Sequence, residues 1–185
     1  PARLARARTL WLPRGETLDR GFAEAVLAWV RAGGTLVVTD PEAFTRDPRG
    51  RSLAAVRDAL VGAPLGPRRE GSVLEVPAGA LGPGRPSDDL AFPIDGPVRR
   101  AFAGVPAGAT VVARFIDGAP AAILRPVGAG RVLAFASDPM APGVLDDPMA
   151  LARFVRDVHA WAGGVVDHPA WSWRMRPQKP WPRPT

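Results

Sequence analysis

The run TLDRGFAEAVLAWVRAGGTLVVT, residues 17–39, constrains this chain more than any other stretch. Leu18, Phe22, Val26, Trp29 and Val30 recur at helical spacing, and Thr17 is placed to cap the helix they predict. Gly33-Gly34 supplies a left-handed stop. TLVVT (35–39) then reads as a strand without polar alternation. A β-branched strand without polar alternation is expected to bury both faces, as strands of a parallel sheet do. LWLP (10–13) precedes the helix as another short apolar run, stopped by Pro13 and Gly15. Strand, helix and strand in that order predict α/β architecture.

Further along, a helix is expected at 53–61, with Ser52 as cap, Leu53, Val56 and Leu60 as its apolar stripe and Gly62 as its end. Residues 63–108 are rich in Pro and Gly and read as an irregular excursion over the surface with one strand at 72–76. Three strands are expected in succession at 110–116, 121–127 and 131–137. Asp117-Gly118 and Gly128-Ala129-Gly130 separate them, which predicts tight antiparallel connections. A last helix at 148–164 carries Leu151, Val155, Val158 and Ala162 on one face, with Phe154 and Trp161 adjoining. Together these predict an α/β fold of flavodoxin-like type: a three-layer sandwich with a mainly parallel sheet extended by an antiparallel hairpin. The α/β domain would occupy 1–164 and a tail 165–185.

The strand at 35–39 ends in Thr-Asp-Pro, and the one at 131–137 ends in Ser-Asp-Pro. Asp is a strong N-cap and Pro suits the first helical position, so Asp40-Pro41 and Asp138-Pro139 are expected to start helical turns, as Asp147-Pro148 does before the last helix. Position gives the same residues a second reading. Ligands of open α/β sheets bind beyond the carboxyl ends of the strands. Asp40, Glu42, Ser137 and Asp138 would lie on that edge, where carboxylates can serve acid/base chemistry or bind a hydrated cation. These four are the candidate ligand residues, and no catalytic set is assigned.

Other constellations are poorer. The chain has no Cys, which removes thiolate metal sites and cysteine nucleophiles. His159 lies within the last helix and His168 in the tail; with no HExxH spacing, neither a zinc site nor any other metal or cofactor is expected. Gly128-Ala129-Gly130 joins two strands and opens no helix, so it reads as a hairpin turn, not a phosphate loop. No Gly-x-Ser-x-Gly elbow occurs, and Asp88-Asp89 reads as a solvated pair.

The formal charge is +6, yet of 24 basic residues only Lys179 is lysine, and the arginines are spread along the chain. Such a surface is a solvated one, and nucleic acid is not the expected partner. The tail concentrates the exception. Trp171, Trp173 and Trp181 alternate with Arg174, Arg176, Lys179 and Arg183. Such a segment can pack its tryptophans on its own or a neighbouring domain, present Arg174, Pro177 and Pro180 as a polyproline ligand, or stack single-stranded bases. Packing is the expected use. No apolar run approaches the roughly 18–20 residues of a membrane span. The chain opens without Met, and a piece of a longer polypeptide is expected.

The stretches LWLPRGETLDRGFAEAVLAWVRAGGTLVV and AAILRPVGAGRVLAFASDP resemble class I glutamine amidotransferase-like domains. They are most similar to the non-catalytic versions, such as the β-galactosidase trimerisation domain. The resemblance covers 10–60 and 110–163. It implies a domain of an exported or cell-surface, carbohydrate-related protein whose partners are other domains or subunits of one assembly. It also implies that this chain lacks the family's first two strand–helix units. Catalytic members carry a cysteine elbow, and a His-x-Glu where this chain has Ser137-Asp138-Pro139, so amidotransferase chemistry is not expected.

Overall fold

The computed structural model describes residues 4–68, 72–77, 90–94, 99–139 and 148–163. After a short 3-10 turn at Leu4–Arg6 the chain forms β1 (Thr9–Leu12), α1 (Arg20–Arg31) and β2 (Thr35–Val38). Then come α2 (Ala54–Leu60), β3 (Ser72–Val76), β4 (Leu90–Ile94), β5 (Thr110–Phe115), β6 (Pro120–Val127), β7 (Gly130–Phe135) and α3 (Pro148–Trp161). The seven strands make one sheet in the order β1-β2-β7-β6-β5-β3-β4.

That sheet is mixed, not mainly parallel. β1, β2 and β7 run parallel, whereas β7–β6, β6–β5, β5–β3 and β3–β4 are all antiparallel. Chain length decides this. Turns as short as Asp117-Gly118 and Gly128-Ala129 leave no room for the dozen or more residues of a parallel crossover. The strand at 72–76 is present as expected. β4 was not expected, and Pro93 hides it: proline is excluded from central strands and tolerated on an edge, which is where β4 lies.

Helices cover both faces. Leu36 and Val38 of β2 pack with Val26 and Val30 of α1 and with Leu53, Val56 and Leu60 around α2. Val37 points the other way, into a second cluster with Leu133, Phe135 and Val158 of α3. All four residues of β2 are buried, Thr35 included, as the want of polar alternation predicts. Of the α1 stripe, Val26 and Val30 are buried and Trp29 partly so, while Phe22 stays 37% exposed.

The caps differ in part from expectation. Asp19, not Thr17, caps α1, its Oδ1 accepting the Phe22 N–H at 3.0 Å. Two residues nearer the helix, it reaches the free amides of the first turn that Thr17 cannot. Leu53 occupies the cap position of α2, and the Ser52 hydroxyl accepts the Ala54 N–H at 3.1 Å from just before it. α3 starts at Pro148 as expected, and Asp147 lies outside the described residues.

At the amino edge of the sheet, the β6–β7 turn presses on the end of α1. A Cβ on Gly130 would sit 2.0 Å from the Val30 carbonyl oxygen, so only glycine fits. The pair Gly128/Gly130 is therefore a hairpin and a packing point, on the edge opposite the one a ligand would use. Arg131 fastens α3 to the same edge, its guanidinium 4.3 Å from the Trp161 ring and Nη2 donating to the Trp161 carbonyl at 2.7 Å.

Candidate functional site

Because β1, β2 and β7 are parallel and adjacent, their carboxyl ends share one edge. A cleft of about 370 Å³ opens there, lined by the Pro13–Thr17 segment that leaves β1, by Asp40 after β2 and by Asp138 after β7. The two Asp-Pro sites, about a hundred residues apart in the chain, thus meet at one depression.

Asp40 is already occupied. Its Oδ1 accepts the Glu42 N–H at 2.9 Å and its Oδ2 accepts the Gly15 N–H at 2.6 Å. The first bond is a local cap on the turn at 41–44, which goes no further into helix; the second fastens the loop after β1 to the end of β2. Backbone bonds from Phe44 to Gly15 (2.8 Å) and from Arg46 to Glu16 (3.1 Å) extend the same seam, and the Arg46 guanidinium pairs with the Glu16 carboxylate. A carboxylate holding two amides is a structural clamp. Asp138 is half-buried at the cleft, with Pro139 opening a turn after it.

Glu42 and Ser137 do not line the cleft. Glu42 Oε1 pairs with Arg100 Nη1 at 3.1 Å. The Ser137 hydroxyl donates to the Arg100 carbonyl at 2.8 Å and accepts the Arg100 N–H at 2.7 Å. Both therefore hold the 99–102 segment against the carboxyl edge. Arg57 supports them from α2, donating to the Pro41 carbonyl at 3.0 Å. Its pKa is lowered by burial, against the opposing pull of Glu42 and Asp58. Two buried groups on this edge, the Thr39 hydroxyl and Arg100 Nε, have no hydrogen-bond partner among the described residues.

Arg14, Glu16 and Thr17, which wall the cleft, are not among the candidate ligand residues read from the sequence, where Thr17 figures only as a helix cap. The signal available was position: they follow a strand parallel to 35–38 and so had to share its carboxyl edge. His159 is exposed on α3, as a surface histidine should be, and His168, Asp88, Asp89 and the tail tryptophans Trp171, Trp173 and Trp181 lie outside the described residues, as do Arg174, Arg176, Lys179 and Arg183. Among the described residues no group of three or more His, Cys, Asp or Glu could hold a metal ion. No helix among them is long and apolar enough to cross a membrane.

Fold and edge together define an α/β domain with a mixed sheet, helices on both faces and a small polar cleft at the ends of its parallel strands. No protein-family model matches the chain, and no curated protein matches it. Solved structures do. The chain is similar to the β-galactosidase from Bacillus circulans sp. alkalophilus, with a TM-score of 0.60 and 16% identity over 85% of this chain and 22% of that one. It is similar to a β-galactosidase from Rahnella sp. R3 (TM-score 0.55, 21% identity, covering 80% of this chain and 23% of that one). It is also similar to a cytoplasmic protein from Salmonella typhimurium (TM-score 0.59, 15% identity, covering 86% and 72%). At these identities the likeness establishes a shared fold. The chain spans about a fifth of the β-galactosidase chains that it matches.

Proposed function

We propose that this chain is a non-enzymatic domain of a larger, carbohydrate-related protein, where it mediates contacts between domains or subunits. The observation that carries this reading is the asymmetry of coverage: 85% of this chain corresponds to 22% of a β-galactosidase. The state of the carboxyl edge supports it, because Asp40 is committed to two backbone amides and Glu42 and Ser137 to Arg100. In finer terms we read the chain as a non-catalytic relative of the class I glutamine amidotransferase-like, flavodoxin-like domains. Its strand–helix–strand order and its want of cysteine support that assignment. An exported or cell-surface location belongs to the same reading. The test removes residues 165–185 and compares the mass in solution of the two forms by light scattering. Loss of association on removing the tail is expected; well-folded monomers both with and without it would count heavily against the proposal.

One observation favours a second reading, a sugar-binding or hydrolytic site: Asp40 and Asp138 line one cleft. Asp40→Asn and Asp138→Asn separate the two. Lower stability with no change in binding to galactosides or mannosides supports the clamp, whereas a stable protein that has lost such binding supports the site.

A further inference from the structure

We propose that Trp171 and Trp173 of the carboxyl-terminal segment seat in an apolar groove of their own domain, beside the end of α1. The groove has a volume of about 800 Å³ and runs between the Leu4–Arg6 turn, the second half of α1 and the end of α3. Small residues make it. Ala25, Ala28 and Ala32 line up on one side of α1 and its cap, and Gly33 adds no side chain. A Cβ on Gly34 would overlap the Trp29 ring, so glycine lets that ring lie against the backbone. Trp29 Nε1 donates to the Ala7 carbonyl at 3.2 Å and fixes the amino-terminal turn as the facing wall. Ala28, Ala32 and Gly33 are exposed and Leu4 and Trp29 are half-buried, which leaves an apolar depression open to water.

The course of the chain names the occupant. α3 ends at this groove: Ala162 lines it, and the Ala162 carbonyl accepts the Thr9 hydroxyl at 3.0 Å. Gly163 follows with φ +88°, a left-handed residue that turns the chain out of the helix. Trp171 comes eight residues after Gly163, a span of at most about 26–29 Å. From Ala25 to Ala32 the groove follows the helix for only about 10 Å, so it lies within reach. Residues 171–173 read Trp-Ser-Trp. Side chains two residues apart on an extended segment project to one side, so both indoles can enter one groove while Ser172 faces water. Arg8, exposed at the rim, offers its guanidinium to an indole face.

Tethering favours the chain's own tryptophans over those of a second copy, because a ligand held by so short a linker acts at an effective concentration on the order of millimolar. Seated there, the pair clasps two layers. α1 packs on one face of the sheet and α3 on the other, and the groove touches both at the amino edge. Residues from Arg174 onward stay available for the contacts with other domains or subunits proposed above.

Because the chain has no cysteine, a nitroxide on Ser172→Cys marks one place only. Paramagnetic broadening of the amide signals in the full chain should be strong at Ala28, Ala32 and Gly33. It should be absent at Ile116, which is exposed just past β5 on the opposite edge of the sheet. Ala28→Arg, at an exposed helix position that accepts arginine, should erase the broadening. Broadening that is missing, that is equal at Ile116 or that persists in Ala28→Arg overturns the proposal. Mixing the labelled chain with an isotope-enriched copy that carries no nitroxide separates self from neighbour: broadening passed to the enriched copy overturns the proposal, and signals left sharp support it. Light scattering reads association alone. A tail whose removal leaves the mass unchanged sinks the interaction reading while broadening at Ala28 stands, and missing broadening sinks the docked tryptophans alone.

Discussion

At Asp40 one side chain holds two loops, and its value can be measured. Hydrogen bonds to a charged group contribute about 1.5–3 kcal/mol each; because both of these are only part-buried and screened by solvent, Asp40→Ala should lower the free energy of unfolding by about 2–4 kcal/mol in urea titrations, less than the full sum of two. Asp40→Asn keeps a carbonyl acceptor and should lose less. Asp47 makes a comparable local knot. Burial of its carboxyl raises the pKa, but the Arg51 and Arg49 amides and the Arg51 guanidinium outweigh burial and hold it below the ordinary carboxylate range. A carboxyl whose folded pKa is depressed stabilises the fold fully above its unfolded pKa, near 3.9, and loses that contribution as pH falls through the folded value. Asp47→Asn should therefore flatten the dependence of stability on pH below about 4, followed by circular dichroism, and leave the slope at neutral pH unchanged.

Among the elements, α1 tests how local signals fix a boundary. Asp19→Ala should cost about 1 kcal/mol of stability through loss of the Phe22 amide bond, and Thr17→Ala should cost clearly less. Gly130→Ala should do more damage than either, because a methyl 2.0 Å from the Val30 carbonyl oxygen forces α1 and β7 apart; a fall in Tm of several degrees is expected from calorimetry. The elements themselves were largely legible. β-branched runs, glycine stops and apolar spacing marked β2, β5, β6, β7 and all three helices, because those signals lie within a few residues of the structure they dictate. β4 was not legible, since Pro93 is a strand breaker except on an edge and edge status is a property of the whole sheet. Nor was the dominance of antiparallel pairing, which depends on which strands become neighbours. At the candidate site, Asp40 and Asp138 stood out through their repeated Asp-Pro. The facing wall did not, because the bonds from Phe44 to Gly15 and from Arg46 to Glu16 are backbone to backbone and impose no side-chain pattern.

For the whole molecule, the arrangement of strands divides the sheet into two regimes. β5, β6 and β7 are joined by short turns and pair with close neighbours in the chain. β2 pairs with β1 across a single helix on one side and with β7 on the other, where Thr35 and Arg131 stand 96 residues apart. Late pairing of this kind slows folding, since the loop must close before the contacts reward it. The delay has a further consequence during synthesis. A ribosome adding about 5–20 residues each second takes roughly 5–20 s to travel from the end of β2 to the end of β7. For that interval a four-residue strand, apolar on both faces, waits in the nascent chain without its second partner. Stalling translation before Gly130 should leave β2 open to chaperones that bind extended apolar segments, and release past Phe135 should close it to them.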